Sequence, residues 1–553
     1  MTFKNTRLPA VNPEFFALFL GLYFTVFLNG PLWAIFGQAF QAAGHTASHA
    51  AVFAAFSSVI GLFQVAFISL LMWGRMSKPV GLVLVIIATL THYFASRFGV
   101  LYDPPMIRNV FATDVREASE LMNGALIQSV VLWAAVPVLL MVFVPIKRQS
   151  ITAILFKKLF IVSASLIIGG AILALNYKPL SSIVRQQSQM RHAVLPVSPL
   201  ISALRAYTAR IHPAYAGPKT LIEPAPVRHS LPGQRPLLVV VVAGETLRAQ
   251  NWGLSGYARQ TTPQLAALAH TGIFNAPYAA SCGTSTEVSL PCMFSLYGRH
   301  HYDENKIHRT ESVLGLINRA GITTTWVENQ SGCKGVCDQV KSYSSGALIP
   351  RQTGDSAKNE WDARLVDAFD HLRPQDSPTS QLLVLHMLGN HGPAYYRRYP
   401  PEFERFTPAC RDDNFINCTP QAIHNAYDNA ALYTDNILVQ LINRLSALKT
   451  HDVALLYASD HGESLGEAGL YLHGIPYSIA PDVQTHVPFM LWMPPQTQER
   501  LGIDGACLKA TFANPLDHDH IAHSLLGLFG IETSAYEAPY DLFHGCRKKG
   551  QRS

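Results

Sequence analysis

The chain has 553 residues, 49% hydrophobic and 14% charged, with 43 Lys and Arg against 37 Asp and Glu. Soluble globular chains carry about 25% charged residues, so nearly half the usual charge is missing. This balance excludes intrinsic disorder, which needs the opposite composition, and eight cysteines in such a length exclude a small disulfide-stapled scaffold.

The missing charge is concentrated before residue 178. Residues 15–74 hold no Asp, Glu, Lys or Arg, and neither do the stretches 79–96, 121–146 and 159–177. A membrane-crossing helix needs about 20 mostly apolar residues, because lipid offers backbone groups no partner. The first run accommodates two such helices, split near Gly44-His45, and each other stretch one, so five spans are predicted. The first is read as a transmembrane helix rather than a cleaved signal peptide, since its apolar core exceeds the roughly 7–15 residues of a signal core. Lys4, Arg7, Arg75, Lys78, Lys147, Arg148, Lys157 and Lys158 all fall on one side. The positive-inside rule then places the N-terminus in the cytoplasm and everything after Tyr177 outside.

Residues 178–236 carry nine prolines and eight Lys or Arg against the single acid Glu223. This texture predicts a bridge, either running along an anionic membrane surface or simply solvated. From residue 237 an α/β pattern begins. Short apolar runs at Leu237–Val242, Ile322–Val327, Leu382–Leu385 and Val453–Tyr457 alternate with helical stretches at 261–270, 311–320, 360–372 and 423–447. That alternation predicts a largely parallel sheet covered by helices.

All eight cysteines follow residue 281, in the half expected outside. An oxidising compartment favours disulfides, and neighbours are expected to pair: Cys282 with Cys292, Cys333 with Cys337, Cys410 with Cys418, leaving Cys507 and Cys546. The spacings are not the tight pairs of a structural zinc site.

In open α/β sheets the chemistry sits at the carboxyl ends of strands. Three predicted strands run into polar clusters there: Gly244-Glu245-Thr246, His386 through His391 to Pro393, and Ser459-Asp460-His461-Gly462-Glu463-Ser464. Carboxylates combined with imidazoles suit zinc. The hydroxyl-rich turn Ser281-Cys-Gly-Thr-Ser-Thr286, leading into a helix predicted to start near Thr286, supplies several candidate nucleophiles. A hydroxyl needs a base or a metal to act at neutral pH, and a helix N-terminus favours an anionic phosphoryl group.

These segments, with Asn251-Trp-Gly-Leu-Ser-Gly-Tyr257, Asn390-His-Gly-Pro-Ala-Tyr-Tyr396 and Asp460-His-Gly-Glu-Ser-Leu-Gly466, carry a resemblance. The chain resembles the phosphoethanolamine transferases of lipid A, a family that includes the mobile colistin-resistance enzymes. The resemblance implies a five-span helical membrane domain (1–177), a bridge near the membrane (178–236) and a periplasmic alkaline-phosphatase-like, sulfatase-like α/β domain (237–553). It implies one catalytic zinc held by Glu245, Thr286, Asp460 and His461, with Thr286 as nucleophile. It also implies substrate-binding roles for Asn109, Thr113, Glu117, Ser331, Lys334, His391 and His473. Lys334 would face the phosphoryl oxygens. His391 and His473 are candidates for protonating the leaving alkoxide, activating the acceptor or holding a second zinc. Asn109, Thr113 and Glu117, spaced by four, are expected on one face of a helix.

The expected reaction moves phosphoethanolamine from phosphatidylethanolamine to Thr286 and on to lipid A or lipopolysaccharide, lowering surface charge and conferring polymyxin resistance. The expected setting is the inner membrane of a Gram-negative bacterium, with a monomeric enzyme and no nucleic-acid partner. A glycerophosphate transferase of the same superfamily is the alternative.

Overall fold

The structure is a computed structural model and describes residues 9–42, 48–113, 115–186, 188–211, 218–223, 225–228, 235–330, 332–349, 361–372, 374–412 and 415–548. The chain divides into two compact units, one of residues 1–107 and 121–206, the other of residues 108–120 and 207–553. The cut falls inside the predicted bridge, and the segment 108–120 belongs with the second unit.

The first unit is helical. Among the described residues, four helices are long and apolar enough to cross a membrane: His49–Leu71, Gly74–Phe98, Gly124–Phe143 and Ile151–Leu175. The pair Pro13–Leu28 and Gly30–Gln41, bent by 57°, makes a fifth if it is one broken span. The predicted split near Gly44-His45 lies outside the described residues. The bend has a local cause. Pro31 cannot donate a backbone hydrogen bond, and the side chain of Asn29, at the break itself, is fully buried and bonded. Its Nδ2 donates to Phe24 O (2.8 Å) and Leu195 O (2.9 Å), while its Oδ1 accepts from Leu195 N (2.9 Å).

Helix Ile151–Leu175 begins eight residues before the charge-free stretch that predicted it. Lys158 is tolerated inside it because its ammonium donates to Met72 O at 2.5 Å and to Ser69 O. Both carbonyls stand at the C-terminal end of helix His49–Leu71, where helix partners run out.

The second unit is built on a seven-stranded sheet. Its strands in chain order are β1 Leu237–Gly244, β2 Ile273–Asn275, β3 Thr323–Glu328, β4 Lys341–Ser344, β5 Gln381–His386, β6 Asp452–Ser459 and β7 Phe489–Trp492. In space they run β2-β7-β6-β1-β5-β3-β4. The pairings β1–β5, β1–β6, β3–β5 and β3–β4 are parallel, whereas β7 runs antiparallel to both its neighbours.

Every residue of β1 and β6 is buried, as an unbroken Val- and Leu-rich run requires when helices cover both faces. One face packs Val239, Val241 and Ala243 against Phe294, Trp326 and Phe489. Helix Pro420–Ala447 lies on the sheet as well, opened by Thr419, whose side chain accepts from Ala422 N. The central position of β1 brings the ends of β5 and β6 to its own carboxyl end.

All eight cysteines are paired: Cys282–Cys292, Cys333–Cys337, Cys410–Cys418 and Cys507–Cys546.

Candidate active site

Glu245 follows β1 and Asp460 follows β6, and both are fully buried. Asp460 N donates to Gly244 O at 2.9 Å, so the adjoining strands fix the two carboxylates together. Asp460 Oδ1 accepts from Thr246 N (3.1 Å) and His461 N (2.7 Å). Its Oδ2 is buried with no hydrogen-bond partner.

His461 Nδ1 lies 2.9 Å from Gly462 O, so that nitrogen carries the proton and the lone pair of Nε2 faces the carboxylates. That Nε2 lies 3.4 Å from Asp460 Oδ2 and 3.5 Å from Glu245 Oε1. Thr286, the first residue of helix Thr286–Met293, directs its hydroxyl into the same space. It lies 3.1 Å from Glu245 Oε2 and 3.5 Å from His461 Nε2. Two of the competing hydroxyls are engaged elsewhere: Ser281 Oγ donates to Gly283 O and Thr284 Oγ1 to Ile475 O, each at 2.6 Å.

The donor set fits zinc. The ligand atoms of Glu245, Asp460 and His461 lie within 4.8 Å of one another. An unpartnered carboxylate oxygen buried beside an imidazole lone pair is costly unless a cation joins them. Burial pushes Asp460 up, and the Glu245 charge adds to the shift. Burial acts on Glu245 in the same direction, but the imidazoles of His386, His461 and His391 overturn it and hold this carboxyl well below the ordinary range.

The loop after β5 closes the site. Gly389 has φ +53°, and a Cβ there would meet Glu245 O at 2.6 Å. Only glycine combines that conformation with so close an approach. The next residue, Asn390, donates its backbone N–H to Glu245 O at 3.0 Å. His473 stacks near His461 with ring centroids 4.3 Å apart, and His391 lies 5.6 Å from His473. The structure thus brings Glu245, Thr286, Asp460, His461, His473 and His391 together.

Lys334 sits in the turn between Cys333 and Cys337, with φ +50°, and its charge acts on Glu287 and Glu328. Ser331 and the side chain of Glu117 lie outside the described residues. The expectation of a single helix for Asn109, Thr113 and Glu117 is corrected. Helix Pro104–Ala112 ends at Thr113, and a second helix, Val115–Leu121, follows. The Thr113 hydroxyl bonds back to Asn109 O at 2.9 Å, a competition with the backbone that disfavours helix continuation.

This segment is fastened to the second unit at both ends. Arg108 pairs with Glu304, and Glu120 pairs with Arg398. Arg398 Nε in turn donates to His391 O at 2.7 Å.

Three buried residues beside the site were not singled out from the sequence. His386 ends β5 with Nε2 3.9 Å from Glu245 Oε2. Glu463 binds His473 Nδ1 at 2.8 Å through Oε2 and accepts from Tyr395 OH at 2.6 Å through Oε1. Burial pushes Glu463 up to about 8. The signal was present, since His386 and Glu463 belong to the polar clusters that end β5 and β6.

With this geometry in view, the comparisons with known proteins fall into place. Residues 238–531 match the sulfatase family model, and residues 60–211 match one described as Phosphoethanolamine transferase EptA/EptB. The chain is 34% identical to phosphoethanolamine transferase EptA of Escherichia coli K12, over 98% of each chain. It is 36% identical to the phosphatidylethanolamine transferase Mcr-1 of Escherichia coli, over 82% of this chain and 84% of that one. The solved integral membrane lipooligosaccharide phosphoethanolamine transferase A of Neisseria meningitidis superposes with a TM-score of 0.90 at 32% identity, covering 98% of this chain and all of that one. A helical membrane part followed by a sulfatase-like α/β domain is shared with that structure, and this chain belongs to the phosphoethanolamine transferase family and is a phosphoethanolamine transferase.

Proposed function

We propose that the chain moves phosphoethanolamine from phosphatidylethanolamine to lipid A, or to another envelope glycan, through a covalent phosphothreonine on Thr286. The observation that carries this reading is the position of the Thr286 hydroxyl, 3.1 Å from Glu245 Oε2 and at the N-terminus of its helix. The relatives support the donor, one being called a phosphatidylethanolamine transferase, and the acceptor class, another being a lipooligosaccharide phosphoethanolamine transferase.

Glu245, Thr286, Asp460 and His461 would hold one zinc, which when bound supplies Lewis acidity that favours the Thr286 alkoxide and offsets charge on the phosphoryl oxygens. Glu245, kept ionised, accepts the hydrogen bond of the Thr286 hydroxyl and orients it toward phosphorus. The Thr286 proton passes to water as the bond from Thr286 oxygen to phosphorus forms and the bond from phosphorus to the glyceryl oxygen breaks. His473, tied to Glu463, delivers a proton to the departing diacylglycerol, and His391 stands beside it for the same exchange. Lys334 and the helix N-terminus hold the phosphoryl oxygens. In the second half, an acceptor oxygen on lipid A takes the group from Thr286 and restores its hydroxyl. Asn109, Thr113, Glu117 and Ser331 complete the donor site.

In the cell this reading sets five spans (1–177) in the inner membrane with the N-terminus cytoplasmic, 178–236 as the bridge, and a monomeric catalytic domain (237–553) in the periplasm. Each added ethanolamine brings a positive charge to an anionic surface, so polymyxin binding falls.

The test is mass spectrometry of lipid A from a Gram-negative host expressing the chain or its Thr286→Ala variant. The expected result is a gain of phosphoethanolamine with the unaltered chain alone. A gain that survives Thr286→Ala would overturn the nucleophile, and a gain of glycerophosphate would overturn the donor.

A further inference from the structure

A second set of metal-binding side chains lies outside the residues just described. His300 and His301 follow helix Thr286–Met293 in a loop, and Glu537 lies in the stretch between strand Ile531–Glu532 and the turn Ala538–Tyr540. We propose that His300, His301 and Glu537 form a second metal site, for a divalent ion of the zinc class.

Geometry is the first argument. One ligand atom from each residue lies within 4.8 Å of the others. His300 Nε2 is 3.2 Å from Glu537 Oε1. Two ligands on a tetrahedral zinc, with bonds of about 2.0–2.1 Å, stand at about that separation.

The second argument is how His300 is held. Its Nδ1 lies 2.6 Å from Asp519 Oδ2, a carboxylate that is 1% exposed. Asp519 also accepts from Arg299 N (2.5 Å) and His300 N (3.0 Å). A carboxylate on one imidazole nitrogen, turning the other outward, is the support that metal-bound histidines carry. The loop is shaped around it: Gly298 has φ +54°, and a Cβ there would meet Asp519 Oδ1 at 2.2 Å.

The remaining contacts fix the other parts. Glu537 N donates to His523 Nδ1 at 3.1 Å, and the His300 ring stacks on Tyr540 at 4.1 Å. Two imidazoles and one carboxylate select zinc-like ions over magnesium or calcium, and three protein ligands leave a fourth position for water. Binding displaces a proton from His300 Nε2 and links two segments more than 200 residues apart in sequence.

The test is zinc content of the full chain in detergent after equilibrium dialysis against zinc, read by elemental mass spectrometry. The expected values are two ions for the unaltered chain, one for Glu245→Ala/Asp460→Ala, one for His301→Ala/Glu537→Ala and none for all four changes. Cobalt(II) in the Glu245→Ala/Asp460→Ala background is expected to give a visible four-coordinate spectrum that His301→Ala abolishes. His301 is exposed, so this single change leaves folding intact. If His301→Ala/Glu537→Ala retains as much zinc as the unaltered chain, His300 is only a charged clamp between two carboxylates and the proposal falls. If the catalytic site proves metal-free, the unaltered chain holds one ion and His301→Ala/Glu537→Ala none, which separates the two readings.

Discussion

The Glu120–Arg398 pair is where a single substitution should separate donor binding from chemistry. The two side chains are 2% and 1% exposed, and Arg398 also reaches His391 O. Breaking a buried pair by neutralising one partner costs about 3–5 kcal/mol, because the other charge stays buried without compensation. Glu120 belongs to the short segment 108–120, so the cost falls on docking of that segment rather than on the sheet. At 1.4 kcal/mol per factor of ten, about 3 kcal/mol shifts docking by roughly 150-fold. The other fastening, Arg108–Glu304, has side chains 19% and 30% exposed, and such a pair contributes about 0–1 kcal/mol.

Glu120→Gln is therefore expected to lower kcat/KM for phosphatidylethanolamine in proteoliposomes at least tenfold, and Glu304→Gln by no more than about fivefold. A water-soluble phosphoethanolamine ester, which needs no lipid-binding segment, is expected to react with Thr286 in Glu120→Gln at close to the normal rate. A double-mutant cycle with Arg398→Gln reads the coupling directly. Unchanged turnover of phosphatidylethanolamine by Glu120→Gln, or equal effects of the two neutralisations, would refute the reasoning.

Two further outcomes follow from the geometry. Gly389→Ala places a Cβ 2.6 Å from the Glu245 carbonyl at φ +53°, a conformation costing about 1–2 kcal/mol before any clash; zinc content and transfer are expected to fall together, by more than tenfold in rate. His518, fully buried, accepts from Cys282 N at Nδ1 and bonds Ser459 O through Nε2, and burial brings it down to about 4. Its folded pKa lies below its unfolded value, so its contribution is complete above about 6.5 and is lost as pH falls toward 4, up to about 3 kcal/mol at 1.36 kcal/mol per unit. Thermal melts from pH 7 to 4 should show that loss, and His518→Gln should remove the slope; an equal slope in the variant would count against it.

What could be read in the sequence divides along physical lines. Strands β1, β5 and β6 are legible because burial on both faces demands unbroken apolar runs, and the candidate ligands Glu245, Asp460 and His461 are legible because they immediately follow β1 and β6. The antiparallel side of the sheet around β7 is not, since Phe489–Trp492 is only four residues long. The bend at Asn29 was missed because charge-free composition reports length, not the hydrogen bonds that break a helix. The docking of residues 108–120 was invisible for another reason: Glu120 and Arg398 are 278 positions apart and neither belongs to a local motif.

That docking also changes what counts as the catalytic domain. A soluble piece cut after the predicted bridge keeps the sheet, the disulfides and every candidate zinc ligand, yet it leaves behind residues 108–120. Arg398 and Glu304 would then meet solvent where the longer protein gives them partners, and His391 would lose part of its backing. Such a fragment is the proposed reaction centre without the segment proposed to bind the donor. On the proposed mechanism its rate on small esters reports the chemistry, while preference for a lipid donor would rest with residues 108–120, between helices Gly74–Phe98 and Gly124–Phe143.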